Sequence, residues 1–371
     1  MGKWPSTLED VVRNMQLEGN QGNLHNNPLK DDLDQILIHT ESLWEEFRDQ
    51  RIFITGGTGF FGCWLLESFA WANEKLNLNA SIVVLSRKPT VFEKRAPHLY
   101  HNKAIQFLLG NINNFIFPEG RFSYLIHSAV YQQPANEKPS NLALVNEMVN
   151  GARRVLDFCL QAKVEKMLLV STGAVYGKAP SHLKKIPEDF TDSIDPTISK
   201  SVYHHVRRMM ETLSVIYAEE NDFEVKIARC FSFIGPYMPL NGRFAVSDFI
   251  LDTLSERPIT IKGDGKAVRS YLYMADLVIW LWTILFKGEN CRPYNVGSEF
   301  PITIYEMAEN IAHESVPSLG VSVLGESCDG VAQDYYIPDT TRTQSEMGLR
   351  QITPLNEAII KTMRWHRSHC I

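Results

Sequence analysis

A glycine-rich turn between an apolar strand and a helix restricts the chain to a small number of folds. Residues 51–55 (RIFIT) have the pattern of a short buried strand, the turn GGTGFFG spans 56–62, and a helical pattern follows. Gly56, Gly59 and Gly62 allow a tight turn and a close approach of the backbone to a phosphate group. Because a helix N-terminus presents free N–H groups, it attracts negative charge. The turn therefore predicts binding of a dinucleotide pyrophosphate.

Apolar strands alternate with helices along the first two thirds of the chain. Buried strands that are separated by helices are typical of a parallel sheet covered by helices on both faces. The pattern predicts an α/β fold with a doubly wound, Rossmann-type parallel sheet, whose ligand binds beyond the carboxyl ends of the strands. The predicted strands span 51–55, 81–86, 105–109, 124–129, 166–171 and 225–230, and the predicted helices span 63–76, 141–163, 202–220 and 275–286.

We predict three segments in the chain. Residues 1–50 form a polar, Asn-rich arm and a short amphipathic helix that docks on the rest, since apolar residues recur at helical spacing after Asp31. Residues 51–235 form the dinucleotide-binding Rossmann domain. The pattern then becomes less regular, which predicts a smaller C-terminal lobe over 236–371 that closes the substrate cleft.

Charge, cysteine usage and apolar run length exclude several classes of protein. Lys+Arg 37 against Asp+Glu 43 gives a net charge of -6, so we expect no nucleic-acid partner and no anionic membrane surface. The longest apolar run, Leu277 to Phe286, is about half the length of a membrane span. The 6 cysteines form no CxxC pair and no zinc-ligand spacing. We therefore expect a cytoplasmic protein without a membrane segment or a metal ion.

The end of the second predicted strand bears on the choice of dinucleotide. In the usual fingerprint, an acidic residue about 20 positions after the glycine turn binds the adenosine ribose hydroxyls. Here the corresponding place reads Leu85-Ser86-Arg87-Lys88. Ser86 and Arg87 can hydrogen-bond and neutralise a 2′-phosphate, which an acidic residue would repel. We therefore predict NADP as the cofactor, with NAD as the alternative.

Three functional side chains are expected together at the cofactor edge of the sheet. The fifth predicted strand ends in Ser171-Thr172-Gly173, and a later helix carries Tyr203 and, one turn on, Arg207. Since the strand and the helix meet at the cofactor edge, a hydroxyl, a phenol and a cation can converge there.

On these residues, the chain resembles the extended short-chain dehydrogenase/reductase family. It is most similar to the NAD-dependent epimerase/dehydratase group, which modifies nucleotide sugars, and the resemblance runs from about residue 50 to the mid-300s. Several motifs in the family order make it more specific than any single one. They are TGGTGFFG (55–62), IHSA (126–129), STGAVYG (171–177), YHHVR (203–207), RCFSFIGPY (229–237), KGDGKAVRSYLYMAD (262–276) and YNVGS (294–298).

The resemblance implies roles for individual residues. Thr172 resembles the Ser/Thr that hydrogen-bonds the reacting sugar hydroxyl, Tyr203 the general base, and Arg269 the arginine that holds the nucleotide diphosphate. Implied substrate contacts are made by Thr172, Gly173, Ser232, Arg269 and Tyr273. Implied cofactor contacts are made by Gly56, Thr58, Gly59, Phe60, Phe61, Gly62, Ser86, Arg87, Asn111, Ile112, Ser128, Ala129, Tyr203 and Arg207.

One catalytic position departs from the family pattern. The YxxxK of the family is Tyr203-His204-His205-Val206-Arg207 here, so arginine replaces the lysine that helps to stabilise a tyrosinate. Lowering the pKa of a phenol from about 10 to about 7 requires roughly 4 kcal/mol of preferential stabilisation. Arg207 keeps the charge, but its planar fork differs from an ammonium group in reach and donor geometry. The departure leaves two interpretations, an active site with altered pH dependence and a weakened or repurposed site.

The residues after Thr172 bear on the reaction. Dehydratases of the family carry an Asp-Glu pair there, whereas this chain has Gly173 and Ala174, which cannot exchange protons. We therefore predict an epimerase of a nucleotide-diphosphate sugar that acts through a transient keto-sugar, most simply at C4. The alternatives are a 4-ketoreductase or 4,6-dehydratase of the same family, and an NADP-binding scaffold or regulator. The resemblance also implies a homodimer, formed through the helices 141–163 and 202–220.

Overall fold

The computed structural model describes residues 27–131, 140–191, 194–240, 244–315, 319–326 and 333–369. Within these ranges the α-helices are supplemented by the 3-10 helices Glu41–Phe47, Gly173–Tyr176 and Ser199–Ser201. The α-helices are α1 (Lys30–Thr40), α2 (Phe60–Lys75), α3 (Pro89–Arg95), α4 (Pro97–Tyr100), α5 (Asn141–Gln161), α6 (Val202–Glu220), α7 (Ala245–Leu254), α8 (Met274–Lys287), α9 (Ile304–His313), α10 (Thr341–Met347) and α11 (Leu355–His369).

The strands form one large parallel sheet and three small ones in the described part of the chain. They are β1 (Arg51–Thr55), β2 (Ser81–Ser86), β3 (Ile105–Leu109), β4 (Tyr124–His127), β5 (Lys166–Thr172), β6 (Glu224–Cys230), β7 (Phe233–Ile234), β8 (Ile259–Ile261), β9 (Val268–Arg269), β10 (Leu272–Tyr273), β11 (Pro293–Val296), β12 (Ile302–Thr303), β13 (Val321–Val323) and β14 (Tyr335–Tyr336). The large sheet has the order β11-β6-β5-β4-β1-β2-β3. From β6 to β3 this is the strand order of the doubly wound dinucleotide-binding fold, as predicted.

Both faces of the central part of the large sheet are buried, because strands β1, β2, β4, β5 and β6 alternate between two apolar clusters. On β1, Ile52 and Ile54 belong to one cluster and Phe53 belongs to the other. Helices α1, α2 and α8 cover the first face, and α5 and α6 cover the second. Each large apolar side chain buried in this way contributes about 1.5–3 kcal/mol. The strand pattern read from the sequence is therefore satisfied on both sides of the sheet.

The predicted elements agree closely with the observed ones. Strands β2 and β3 have the predicted bounds, and so does helix α6. Helix α2 begins at Phe60 rather than at Cys63, because Gly59 stands at its N-cap position with an extended backbone. The glycine turn is therefore shorter than predicted, and its last glycine, Gly62, is already helical.

The edge strand β11 of the large sheet comes from the C-terminal part of the chain. Strand β11 pairs in parallel with β6, from Pro293 opposite Ile227 to Val296 opposite Cys230. Helix α8 packs on β5 and β6. The boundary predicted at residue 235 therefore divides the large sheet. The loss of regular alternation after residue 235 marks an insertion between β6 and β11, and not the end of the sheet. The small sheets, of order β12-β9-β14, β13-β8 and β10-β7, come mostly from this insertion and from residues after β11.

The segment before β1 completes the helical layer on the first face. Trp44 lies 5.4 Å from the ring of Trp282 in α8, and Phe47 lies 5.3 Å from the same ring. Leu33, Ile36, Leu37 and Leu43 are also buried in this layer. Residues 1–26 of the predicted arm lie outside the described residues.

Two kinds of feature are absent from the described ranges. No helix there is both long and apolar enough for a membrane span. Nor does that part of the chain bring together three His, Cys, Asp or Glu side chains that could hold a metal ion.

Candidate active site

The glycine turn forms a backbone cradle at the N-terminus of α2. Gly56 has φ +76°, and a Cβ there would lie 2.6 Å from the carbonyl carbon of Ser128. A Cβ at Gly62 would lie 2.3 Å from the backbone oxygen of Gly56. Gly59 opens the helix without a side-chain cap, and the first turn carries no acidic residue. The free N–H groups and the positive helix end therefore fit a phosphate, which a side chain at these positions would exclude.

The other predicted residues of the turn anchor it. Thr58 accepts a hydrogen bond at its backbone oxygen from Arg95 Nη1 over 3.2 Å. Phe60 and Phe61 are partly buried in the first turn of α2. The Phe61 ring packs edge-on against Phe233 of β7, with 4.9 Å between centroids. The backbone of the turn is thus free to face a ligand, while these contacts hold it in place.

The end of β2 presents a buried hydroxyl beside several cations. Ser86 is buried, and its hydroxyl accepts a hydrogen bond from the Lys88 N–H over 3.3 Å. Arg87 and Lys88 are exposed. Arg95 on α3 adds a further guanidinium next to the glycine turn. Sequence reasoning missed Arg95, because no spacing rule connects this short helix with the turn.

The remaining predicted cofactor residues lie at the same edge of the sheet. Asn111 and Ile112 follow β3, the neighbour of β2. Ser128 and Ala129 follow β4, and a Cβ at Gly56 would meet the backbone of both. The structure therefore brings these residues and the glycine turn together along the carboxyl ends of β1 to β4.

Thr172 ends β5 beside an aromatic wall. Its hydroxyl accepts a hydrogen bond from the Ala174 N–H over 3.2 Å. A Cβ at Gly173 would lie 2.7 Å from the Tyr336 hydroxyl oxygen and 2.8 Å from a ring carbon of Phe231. The two rings lie 4.7 Å apart between centroids. They fill the space that a side chain at position 173 would need.

Tyr203 lies in the first turn of α6, close to this wall. Its ring is partly buried against the second apolar cluster. The helix packs on the 3-10 turn Gly173–Tyr176, which directly follows Thr172. The structure therefore brings Thr172 and Tyr203 to one edge, and it adds Tyr336, which sequence reasoning missed.

Two contacts hold α6 against the segment after Thr172. The His204 ring hydrogen-bonds the backbone oxygen of Ala174 through Nδ1. Arg208 Nε donates to the backbone oxygen of Val175 over 2.6 Å. The side chains on either side of Arg207 thus fix the helix that carries Tyr203.

Arg207 is buried under the sheet edge, 2% exposed. Its Nη2 donates to the backbone oxygen of Val170 over 2.6 Å, and among the described residues its Nε has no hydrogen-bond partner. No carboxylate of the described ranges forms an ion pair with it. Burial, together with this guanidinium, lowers the pKa of His127 to about 3. His127 is therefore neutral, and Arg207 supplies the positive charge in this region.

A polar network beneath Thr172 ties the site to the sheet. Ser171 donates its hydroxyl to Glu211 of α6, and Glu211 forms an ion pair with Arg229 of β6 at 2.8 Å. Arg229 donates to the Tyr176 hydroxyl over 3.0 Å, and Tyr176 donates to Asn295 of β11 over 2.7 Å. The network joins residues from five elements, so local sequence patterns could not reveal it.

Arg269 and Ser232 lie near the aromatic wall. Arg269 of β9 pairs with Asp334 at 2.7 Å and stands opposite Tyr336 in the ladder of β9 and β14. Ser232 follows β6, and its backbone oxygen accepts the N–H of Leu272 over 3.0 Å. The small sheet thus brings Arg269 next to the end of β5.

Tyr273 lies elsewhere, in the core of the first face. It is fully buried, and its hydroxyl donates to Asp32 of α1 over 2.7 Å. Its ring packs edge-on against Trp64. The predicted substrate contact of Tyr273 is therefore not made, because the helical layer before β1 covers the side chain.

A glycine cradle at a helix N-terminus, with Thr172 and Tyr203 at the same edge of a doubly wound sheet, defines a dinucleotide-binding α/β protein. The sequence model of the NAD dependent epimerase/dehydratase family matches residues 52–297. The chain belongs to this family and is an enzyme of it, which confirms the resemblance drawn from the motifs.

Individual relatives agree with this assignment. UDP-glucuronic acid decarboxylase 1 of Arabidopsis thaliana is 27% identical over 309 residues, which are 83% of this chain and 68% of that protein. Two solved structures share the fold. UDP-glucose 4-epimerase of Thermotoga maritima has a TM-score of 0.70 at 19% identity, over 86% of this chain and 100% of the other. UDP-N-acetylglucosamine 4-epimerase of Methanobrevibacter ruminantium has a TM-score of 0.73 at 17% identity, over 86% and 99%.

Proposed function

We propose that the protein is an NAD(P)-dependent epimerase of a UDP-sugar, which acts through a transient keto-sugar at C4. The observation that carries the proposal is the convergence of the Thr172 hydroxyl and the Tyr203 phenol at the sheet edge that holds the glycine turn. Relatives that are named for UDP-sugars support the choice of nucleotide.

In this proposal the protein side chains handle the proton of the sugar hydroxyl. Tyr203, as a phenolate, accepts that proton while Thr172 hydrogen-bonds the same oxygen and holds it in place. The buried charge of Arg207 favours the phenolate, since a nearby cation stabilises an anion strongly where water is excluded. When bound, the dinucleotide supplies the acceptor for the hydride that leaves the carbinol carbon.

The aromatic wall supports epimerisation over dehydration. Position 173 has no side chain, and a larger residue would collide with Tyr336 and Phe231. Ala174 also lacks a titratable group. Elimination of water by an acid/base pair directly after Thr172 is therefore disfavoured, whereas return of hydride to the opposite face of a keto-sugar needs no further acid or base. Reduction of a supplied keto-sugar by the same two residues remains the related alternative.

Decarboxylation of UDP-glucuronic acid is a second candidate, favoured by the sequence relatives named for it. Oxidation at C4 places a ketone next to C5, which carries the carboxylate. Such a β-keto acid breaks its C5–carboxylate bond as carbon dioxide leaves, and the electron pair passes to the enolate. C5 of the enolate then takes a proton from water, and return of hydride to C4 restores the alcohol. The step uses the same Thr172 and Tyr203 and needs no acid/base pair after Thr172.

Incubation with a panel of UDP-sugars, read by mass spectrometry and NMR, separates these reactions. A new stereoisomer of equal mass supports epimerisation. Loss of carbon dioxide from UDP-glucuronic acid supports decarboxylation, and loss of water indicates dehydration. A gain of hydrogen that depends on NADPH indicates reduction, and no conversion of any sugar contradicts the proposal.

We also propose NADP as the preferred dinucleotide, and Arg87→Ala tests it. Loss of a charge-assisted contact with a 2′-phosphate is expected to weaken NADP binding by about 10–100-fold. NAD binding should change by less than about 3-fold, since NAD has no 2′-phosphate. Isothermal titration calorimetry of both dinucleotides measures the effect.

Arg121→Ala is the matched control for Arg87→Ala. Arg121 is exposed and pairs with Glu165 next to the amino end of β5, away from the cofactor edge. Its removal should leave both affinities unchanged. A wild-type preference for NAD, or equal losses for the two dinucleotides in Arg87→Ala, would contradict the choice of NADP.

Arg207→Met tests whether the buried guanidinium supports the Tyr203 phenolate. Without that charge, the acidic limb of the pH–rate profile is expected to move to higher pH by about one unit. Arg207→Lys keeps the charge and should move the limb much less. The pH–rate profiles of the two variants, with their melting temperatures as a check on folding, decide the matter. A profile in Arg207→Met that matches the wild type would rule out this role.

We further propose that the protein forms a homodimer through α5 and α6. The two helices pack against each other on the second face of the sheet. Their outer sides expose large apolar side chains, Leu142 and Leu160 on α5 and Met209 and Ile216 on α6. A second copy of the same helix pair would bury these side chains.

A further inference from the structure

Arg207 and Glu211 are opposite charges on one side of α6. They lie four residues apart, so their side chains are neighbours one helical turn from each other. Both are buried, Arg207 with 2% and Glu211 with 8% of its surface exposed. Opposite charges at this spacing attract each other, and pairing offsets much of the cost of burying either one. The structure instead gives the two side chains different partners.

Arg229 of β6 binds the Glu211 carboxylate. Its Nη2 donates to Glu211 Oε2 over 2.8 Å, and its Nε donates to both carboxylate oxygens over 3.2 Å. Ser171 adds a hydroxyl donor to Oε1. Arg229 is fixed in turn, since its Nη1 donates over 3.0 Å to the Tyr176 hydroxyl and to the backbone oxygen of Glu188. Binding of both carboxylate oxygens by a planar guanidinium is a strong form of ion pair, so Glu211 is committed to this partner.

Arg207 is left with uncharged partners. Its Nη2 donates to the backbone oxygen of Val170 over 2.6 Å, and its Nη1 contacts the sulfur of Met210 at 3.9 Å. Burial of a cation with only neutral partners is unfavourable for stability, so its presence here calls for a functional reason. The charge of Arg207 remains available to an anion at Tyr203, which lies one helical turn away.

The other titratable groups around α6 do not neutralise Arg207. Burial keeps those of the neighbouring strands and turn uncharged at neutral pH, because it lowers the pKa of an imidazole and raises that of a thiol or a phenol. They are His127 of β4, Cys230 of β6 and Tyr176 of the 3-10 turn. Lys200, just before α6, is exposed to solvent, which weakens its field. The His204 ring is hydrogen-bonded to a backbone oxygen, and Glu147 of α5 forms no ion pair in the ranges that the structure describes. Glu211 is therefore the carboxylate that could neutralise Arg207.

We propose that Arg229 is a positioning residue that holds Glu211 away from Arg207 and thereby sets the proton affinity of Tyr203. The proposal rests on the function proposed above, in which Tyr203 is the base, and it deepens it by naming what keeps the charge of Arg207 available. Once released by Arg229, Glu211 would pair with Arg207. The phenol of Tyr203 would then keep its proton to higher pH, because a neutralised cation no longer favours the phenolate.

Arg229→Met tests the proposal, because it removes the guanidinium and leaves Glu211 free to pair with Arg207. We expect the acidic limb of the pH–rate profile to move to higher pH by about one unit, as for loss of the Arg207 charge itself. A direct action of the Arg229 charge on Tyr203 would give the same shift, so Glu211→Gln is added in a double variant. With no carboxylate left to release, the double variant should return to within about 0.3 units of the wild type. A limb that stays shifted in the double variant, or an unmoved limb in Arg229→Met, would overturn the proposal.

Lys226→Met is the matched control. Lys226 is also a buried cation of β6 that pairs with a carboxylate, that of Glu224. Because side chains alternate along a strand, it points to the opposite face of the sheet from Arg229. Its pH–rate profile should equal that of the wild type.

Arg229→Lys replaces Arg229→Met if the latter does not melt cooperatively. An ammonium group lacks the planar fork that binds both carboxylate oxygens, so it holds Glu211 less firmly. The acidic limb should then move in the same direction by about half as much. A limb at the wild-type position in this variant would contradict the proposal.

A titration without turnover separates this inference from the proposed function. In protein labelled with ¹³Cζ tyrosine, the Tyr203 signal is identified by its absence in Tyr203→Phe, and its chemical shift follows protonation of the phenol. We expect its midpoint to lie about one pH unit higher in Arg229→Met than in the wild type, and to be unchanged in Lys226→Met. Equal midpoints in Arg229→Met and the wild type overturn the role of Arg229 even if no UDP-sugar reacts. Shifted midpoints in a protein that converts no sugar would count against the proposed function alone.

Discussion

Replacing Tyr203 with phenylalanine is expected to lower kcat by about a thousandfold, the middle of the range for loss of a general base. The variant keeps the ring that packs on the second apolar cluster and loses only the oxygen that would accept the sugar proton. Dinucleotide affinity should fall by at most about 10-fold, since one hydrogen bond to the cofactor is lost and the glycine turn is untouched. Steady-state rates with a converted UDP-sugar, together with calorimetry of the dinucleotide, measure both effects.

Tyr217→Phe controls for loss of a phenol from the same helix. The Tyr217 hydroxyl donates to Asp157 of α5 over 2.7 Å, at the far end of α6 from the candidate site. We expect its kcat to equal that of the wild type. A Tyr203→Phe variant that retained more than about a tenth of the wild-type kcat would show that another group takes the proton.

Gly62→Ala is expected to weaken dinucleotide binding by at least about 100-fold. The added methyl group would lie 2.3 Å from the Gly56 oxygen and 2.4 Å from the carbonyl carbon of Gly57. Both are backbone atoms of the cradle, so the turn itself must shift and its N–H groups lose their alignment with the phosphates. Overpacking of this kind also costs about 1–3 kcal/mol of stability. Calorimetric titration and thermal unfolding report the two effects separately.

Gly263→Ala is the control for this substitution. A Cβ at Gly263 would meet no heavy atom within 4 Å, and its backbone needs no glycine conformation. Dinucleotide affinity and melting temperature should both stay at the wild-type values. If Gly62→Ala bound the dinucleotide as tightly as Gly263→Ala, the turn would not be its binding site.

Much of the fold could be read from local sequence because the relevant signals are local. Residues 51–55 and 81–86 are apolar runs of strand length, and burial on both faces of a parallel sheet produces that pattern. The glycines of the turn GGTGFFG predict a tight backbone, and the structure has no room for a side chain at Gly56 or Gly62. Thr172 lies at the end of β5 and Tyr203 at the start of α6, the next α-helix along the chain. Their positions at one edge of the sheet therefore follow from the topology.

The misplaced expectations share a physical cause, which is contact between segments distant in sequence. Tyr273 belongs to a family motif, but α1 covers its side chain, and Asp32 accepts a hydrogen bond from its hydroxyl. Strand β11 joins the sheet after residue 235, because pairing with β6 is a long-range event that no local pattern records. Arg95 reaches the glycine turn from a short helix for the same reason.

The amino-acid sequence alone determined the parallel sheet, the phosphate-binding turn, and the hydroxyl and phenol at the sheet edge, since each depends on residue type and spacing within one or two elements. Only the tertiary structure decided what surrounds Thr172. Tyr336 and Phe231 arrive there through strand pairing and ring packing across the chain. Such packing depends on shape in three dimensions, and a linear pattern of residue types does not carry that information.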